Sequence, residues 1–342
     1  MRALPSALAT VLVSAVLTVA PVSAAPPPPE PRTAVVADNQ VTRVVVISVD
    51  GLNPDAITQL GRSDAPTFHR IVDEGATTFN ARSEVEMTNT LPNHTGMVTS
   101  RRIDLLSGGH GVTWNDDRVV PRTVQVAAGQ RVGSVFSSLE AADLSASLFA
   151  AKGKFDLFDR SWPNGVDHTL IRGDHTKLIR EARRDLRTTW RALTFLHISL
   201  PDVAGHHHGW FSPEYMDAVR ESDYLVGQVL KTIGRSAESR DHTMVVLTAD
   251  HGGLGPSHLD PRRYANFRVP FLVWGAGVAA GADLYAINPT YADPGKARVG
   301  YAAELQPVRN GAVGNLVLDV LGLPPIPDSE HDYAQDLEVL AP

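Results

Sequence analysis

Not one of the 342 residues is a cysteine, and that absence removes several chemistries at once. A disulfide framework, lipoprotein attachment and thiolate metal ligation are all excluded, and a side-chain nucleophile has to be found among the hydroxyls. An excess of positive charge is missing too. Lys and Arg number 31 against 38 Asp and Glu, a formal net charge of −7, which argues against nonspecific binding to nucleic acid or to an anionic membrane. Long apolar runs are confined to the first residues. Leu8 to Ala20 follows Arg2 and leads to Val22-Ser23-Ala24, a small-x-small cleavage pattern. That run is short for a membrane span, and a proline-rich stretch from Pro26 to Pro31 follows it. We read residues 1–24 as a secretory signal, 25–41 as a Pro-rich linker and 42–342 as a single catalytic domain, with the product secreted or periplasmic. Cleavage after Ala24 removes Arg2 and moves the net charge from −7 to −8. No membrane span is then expected.

Several catalytic signatures are also absent. There is no G-x-S-x-G elbow, no H-E-x-x-H and no G-x-x-x-x-G-K-[ST]. Gly275-Ala276-Gly277 followed by Gly281 has the wrong spacing for a dinucleotide fingerprint.

What is present begins with three short apolar runs. Val44 to Val49 leads into Asp50, Thr194 to Leu200 into Pro201-Asp202, and Met244 to Thr248 into Ala249-Asp250-His251. Continuous apolar runs of this length suit strands buried on both faces of a parallel sheet. Helical periodicity between them, at Pro66 to Glu74 and Ser212 to Ile233, completes the alternation of an α/β fold, a mostly parallel central sheet with helices on both faces. Ligand sites in such sheets form beyond the carboxyl ends of the strands. One aspartate after a strand is most often a turn residue or helix cap. Three, two of them with histidines attached, point to one shared crevice.

Asp202 and His206 stand four residues apart, a spacing that one helical turn brings to one side. Asp250-His251 is an adjacent pair, and His258 follows across four turn-forming residues, Gly252, Gly253, Gly255 and Pro256. Oxygen and nitrogen donors without thiolate suit two divalent ions, Zn²⁺ first among them. His207 and His208 read as a solvated continuation of the His206 run. The hydroxyl candidates lie in "TNTLPNHTGMVTS": Thr88, Thr90, Thr95, Thr99 and Ser100. A hydroxyl needs a base or a metal beside it, so its activator has to come from elsewhere in the chain.

Taken in order, "VVVISVDGL", "TLPNHTGMVTS", "HGVTWND", "DVAGHHHG", "TADHGGLGPSH" and "VPFLVWGAGV" resemble the alkaline phosphatase superfamily, and within it the type I phosphodiesterase/nucleotide pyrophosphatase family, over roughly residues 42–340. The resemblance implies that Thr90 is the nucleophile. It implies one metal held by Asp50, Asp250 and His251 that also binds Thr90, and a second held by Asp202, His206 and a third histidine. His258 is assigned to that place, with His331 as the reserve. Asn115 matches an asparagine that points at a phosphoryl oxygen, although a turn role before Asp116-Asp117 is equally open. Trp114 is a candidate to stack on a nucleobase or aryl group, or else a core residue. Lys152 and Lys154 are candidates for a second phosphoryl contact, or else solvated. The implied activity is cleavage of phosphodiester or pyrophosphate bonds in a small phosphorylated substrate through a phosphothreonine. Phosphate-monoester hydrolysis is the alternative, and a zinc-binding scaffold with a decayed site is the reading from another class.

Overall fold

The computed structural model describes residues 41–342. The expected signal and nearly all of the expected linker lie outside the described residues.

Eight strands form one sheet: β1 (Arg43–Val49), β2 (Ala76–Arg82), β3 (Ala146–Ala150), β4 (His168–Ile171), β5 (Leu193–Ile198), β6 (Thr243–Thr248), β7 (Arg268–Gly275) and β8 (Ala282–Asp283). Their spatial order is β4-β3-β5-β1-β6-β7-β2-β8. Every pairing is parallel except the two made by β7 with β6 and β2. The expectation of a mostly parallel sheet therefore holds, with β7 the reversed strand.

Central position explains the composition of the three runs. β1, β5 and β6 are buried along their whole length, so neither face needs polar residues, and β-branched side chains suit the pleat. Each fully buried Val or Ile there contributes about 1.5–3 kcal/mol relative to leaving it exposed. Register aligns the three strand ends, since Ser48 stands opposite both His197 on β5 and Thr248 on β6. Asp50 and Asp250 consequently emerge at the same edge of the sheet.

The second run ends earlier than its apolar character suggests. β5 stops at Ile198, and Leu200–His208 is a helix with proline in its first turn. Proline at that position gives up a backbone donor that no helical carbonyl would have accepted, and its fixed φ suits helix initiation. Asp202 thus sits in the first helical turn, not on the strand tail, and its backbone N–H donates to the Asp50 carbonyl at 3.1 Å.

Two groups of helices flank the sheet. The long helix Pro213–Ile233, capped by the Ser212 side chain, packs against Pro54–Asp64, Pro66–Glu74, His175–Thr188 and Leu200–His208. In the other group Val313–Val320 packs against Thr90–Thr99 and Val135–Ala141. Among the described residues no helix is long and apolar enough to cross a membrane.

Candidate active site at the strand ends

The site is built where β1, β5 and β6 end, and close backbone approach makes it possible. Gly51 has φ +71°, and a Cβ there would lie 2.9 Å from the Asp202 Cα, so only glycine lets the β1 turn meet the helix that carries Asp202. Gly205 lies inside that helix. A Cβ on it would stand 2.7 Å from the Trp210 indole. Trp210 in turn donates Nε1–H to the Gly51 carbonyl at 3.0 Å and packs against the rings of His206 and His258. One buried indole thereby braces three parts of the site.

Six expected ligands converge. Asp50, Asp250 and His251 form one cluster, with His251 Nε2 3.6 Å from Asp50 Oδ1 and 3.2 Å from Asp250 Oδ2. Asp202, His206 and His258 form a neighbouring one: His206 Nε2 lies 3.3 Å from Asp202 Oδ1, His258 Nε2 lies 3.8 Å from it, and the two imidazole nitrogens are 3.0 Å apart. The His251 and His258 rings stack at 3.6 Å between the clusters. His206 stands at the mouth, its side chain 46% exposed, while the other five are buried.

The donor set fits divalent cations. Asp50 Oδ1, Asp202 Oδ1, Asp250 Oδ2 and His251 Nε2 are buried with no hydrogen-bond partner, and so many orphans in one place are costly unless something else satisfies them. The imidazoles are held in the tautomer a metal needs. His251 Nδ1–H donates to the Gly252 carbonyl and His258 Nδ1–H to the Thr88 carbonyl, which leaves each Nε2 lone pair facing inward. A tetrahedral zinc site with bonds of about 2.0–2.1 Å requires ligand atoms about 3.3 Å apart, close to the spacings observed in both clusters.

Electrostatics divide the carboxylates. Burial pushes the Asp50 carboxyl up, but the Lys152 ammonium and the His197 hydrogen bond outweigh it and hold the group well below its ordinary value. Burial and the nearby Asp50 and Asp202 charges push Asp250 well above it. Asp202 is raised by burial and by Asp50, yet the His206 imidazole beside it and the charge of Lys152 bring it down to about 2. Three carboxylates this close repel one another, and added positive charge is what lets all of them stay ionised.

Thr90 opens the helix Thr90–Thr99, with Asn89 as N-cap and Pro92 in the first turn. Its surroundings are fixed by neighbours in the same motif. His94 Nδ1–H donates to the Thr90 carbonyl at 2.7 Å and its Nε2 accepts from Ser48 Oγ at 2.7 Å, while burial keeps the ring neutral. Asn93 accepts from Glu84 N–H and donates to the carbonyls of Met87 and Asn89, clasping the loop that leads to Thr90. Thr88 and His258 exchange reciprocal bonds of 2.5 Å. Thr90 is thereby tied to β1 through His94 and Ser48, and its approach to His258 through Thr88. Thr95 and Thr99 bond back to helix carbonyls and are body residues.

The remaining candidates resolve in different ways. Asn115 Oδ1 accepts from Leu91 N–H at 2.9 Å, so it occupies one of the backbone donors at the helix start. Lys154 Nζ donates to the carbonyl and to Oδ1 of the same Asn115. Lys152 Nζ bridges Asp50 Oδ2 and Asp202 Oδ2, 2.6 Å from each. Neither lysine is a solvated surface residue. Trp114 is 8% exposed and packs in the core, which favours its structural role over stacking on a substrate. His331 pairs with Glu84 at 3.0 Å, outside both clusters, whereas His258 stands with Asp202 and His251 in a group that could hold an ion.

Sequence reasoning passed over His94, His197 and Asn310. Asn310 donates to the carbonyls of Ala249 and Asp250, pinning the loop that carries the aspartate. His197 had a visible signal, as one imidazole in an otherwise apolar strand run. His94 was read only as part of a motif, and Asn310 gave no local signal.

Known proteins align with this arrangement. The family model described as type I phosphodiesterase/nucleotide pyrophosphatase matches residues 44–262. Among curated relatives, a GPI ethanolamine phosphate transferase 1 of Chaetomium globosum is 29% identical over 177 residues, half of this chain and 17% of that protein. The Yarrowia lipolytica protein of the same name is 29% identical over 128 residues, 36% of this chain and 12% of that protein. The chain thus spans less than a fifth of the length of these relatives. Among solved structures, murine ectonucleotide pyrophosphatase/phosphodiesterase 5, an inactive variant in complex with AMP, superposes with a TM-score of 0.65 at 14% identity, covering 88% of this chain and all of that one. The human counterpart gives 0.62 at 14% identity, with 86% and 99% covered. The shared fold is the alkaline phosphatase-like α/β architecture.

Proposed function

Because the chain belongs to the type I phosphodiesterase/nucleotide pyrophosphatase family, we propose that it is an exported metal-dependent phosphohydrolase that cleaves phosphodiester or pyrophosphate bonds through a phosphothreonine at Thr90. The observation that carries this reading is the convergence of Asp50, Asp250, His251, Asp202, His206 and His258, with four buried orphan atoms among them, beside the helix that Thr90 opens.

Asp50, Asp250 and His251, with the Thr90 hydroxyl, would hold one cation, and Asp202, His206 and His258 the other, most plausibly Zn²⁺ for this donor set. Bound there, the two cations supply positive charge that lowers the pKa of the Thr90 hydroxyl and offsets charge growing on the leaving oxygen. Thr90 Oγ1, its proton lost to solvent, attacks phosphorus in line, the bond to the leaving oxygen breaks, and the phosphoryl group, still carrying the second ester of a diester, stays on the threonine until water releases it and restores the hydroxyl. Asn115 Oδ1 is engaged by Leu91 N–H, which turns its Nδ2 into the donor available to a phosphoryl oxygen. His94 holds the Thr90 carbonyl, so the first turn keeps its aim during attack. AMP in the murine structural neighbour supports a nucleotide-like substrate, and the pattern in residues 1–24 supports export.

Two observations favour phosphate monoesters as a second reading. Lys152 and Lys154 both stand at the site, one on the aspartates and one on Asn115. A transferred dianionic phosphoryl group carries one more negative charge than a diester, and two ammonium groups suit it. A transferase outcome, the activity in the names of the curated relatives, requires an alcohol acceptor in place of water, and product analysis separates the two.

The test compares kcat/KM for a nitrophenyl monoester and a bis-nitrophenyl diester, in wild type and Thr90→Ala, with and without chelator. Thr90→Ala and chelation should each lower turnover by orders of magnitude. Undiminished activity in the variant sinks the mechanism, whereas a strong monoester preference overturns only the choice of diester.

A further inference from the structure

His197 is fully buried on β5 and uses both of its ring nitrogens. Nδ1 accepts from the Ala151 backbone N–H at 3.2 Å, so in the neutral ring the proton is on Nε2, which donates to Asp50 Oδ2 at 2.9 Å. Burial lowers the affinity of the ring for a second proton, which agrees with a neutral ring. The strand register produces the geometry. His197 stands opposite Ser48, two residues before Asp50 on β1, and opposite Ala150, two residues before Lys152 on the β3 side. The ring is sealed by Phe155 at 4.2 Å and His94 at 5.1 Å.

Asp50 consequently has two unlike oxygens. Oδ2 receives the Lys152 ammonium and the His197 N–H, whereas Oδ1 has no partner and lies 3.6 Å from His251 Nε2. A carboxylate with both oxygens free can rotate or bind through either one. A donor fixed to one oxygen removes that freedom.

We propose that His197 is a positioning residue: its Nε2–H selects which oxygen of Asp50 faces the cation site, while its Nδ1 ties the Lys152 loop to the same aspartate. The inference rests on the metal-dependent reading above and adds to it a residue that touches neither substrate nor cation. It makes no use of the family pattern, because His197 lies outside the six ligands and the Thr90 motif.

Two substitutions separate the two bonds. Gln places its amide nitrogen near the position of His Nε2 and can keep the donor to Asp50, at the loss of the Ala151 contact. Asn places its amide oxygen near Nδ1 and can keep the Ala151 contact, at the loss of the donor to Asp50. The experiment measures Zn²⁺ affinity of the full chain by competition with a chromophoric chelator, with a thermal melt as a control for folding. Turnover of the two nitrophenyl esters is followed in parallel. His197→Asn should bind Zn²⁺ about 10–100-fold more weakly, the range typical of losing a hydrogen-bond partner behind a metal ligand, and His197→Gln should stay close to wild type. A merely structural role gives two equal losses, or makes Asn the milder change, and either result overturns the proposal. So does wild-type affinity in His197→Asn. Should that variant not fold, His197→Gln decides alone: retained affinity supports the donor to Asp50, and a loss as large as the range above refutes it. Wild type that binds no Zn²⁺ and cleaves neither ester refutes the metal-dependent reading itself, a result distinct from any difference between the two variants.

Discussion

Thr90 owes its role to what surrounds it, because its own hydroxyl differs in nothing from those of Thr95 or Thr99. Its carbonyl is held by His94, its approach by Asn93 and by the Thr88–His258 pair, and Asn115 caps the turn it opens. If Asn115 presents Nδ2 to the phosphoryl oxygens, Asn115→Ala should lower kcat by about 10²–10³, the cost of losing one such donor. Steady-state kinetics on the diester will read this, and an unchanged kcat would reduce Asn115 to the helix cap that the turn reading allowed. Another residue supplies a test of stability. Burial, with the charge of Asp319 next, pushes the Asp332 carboxyl up to about 8. An unfolded aspartate ionises near pH 3.9, about four units lower. Between those values the native state binds the extra proton, so its contribution to stability falls as pH rises and levels off above about pH 8. Asp332→Asn should remove that slope, measured as the urea midpoint of wild type and variant from pH 4 to 9. Parallel curves would contradict the burial argument. At this scale the sequence was informative where spacing carried the chemistry, as for Asp202 and His206. It was silent where partners lie far apart, as for His197 and Asp50, which meet across 147 residues.

Elements were legible in proportion to how evenly they are buried. β1, β5 and β6 are enclosed on both faces, and their apolar runs could be read directly. β4 is exposed or half-buried throughout and β8 has two residues, so neither leaves a pattern in composition. The reversal of β7 is a matter of topology, which periodicity does not encode. The boundary between β5 and the Leu200–His208 helix was misplaced because Leu200 continues the apolar run, while the following proline favours a helix start. That helix holds the second ligand cluster and depends on Gly205 lying against Trp210. Gly205→Ala forces the backbone away from the indole and should cost about 1–3 kcal/mol as an overpacking change. Chemical denaturation should show the lower midpoint, and weaker metal retention should accompany it because Asp202 and His206 move with the helix. A variant as stable as wild type would show that the indole yields instead.

For the whole molecule, the formal charge of −7 is at odds with an anionic substrate only when the site is ignored. Three buried carboxylates converging beyond β1, β5 and β6 form a candidate cation site, and bound cations would reverse the local field whatever the total charge. The sheet order brings β1 between β5 and β6, which is why side chains from positions 50, 202 and 250 converge. Trp114, the residue that the sequence offered for a nucleobase or aryl leaving group, turned inward. The central claim is that these distant pieces serve one phosphoryl transfer to Thr90. The most direct measurement is acid quenching during turnover of the diester, followed by mass spectrometry of the peptide that contains residue 90. Metal-loaded wild type should carry on Thr90 a phosphoryl group that keeps the remaining nitrophenyl ester, and chelated enzyme should not. Product release with Thr90 unmodified at every time point, together with full activity in Thr90→Ala, would contradict the account.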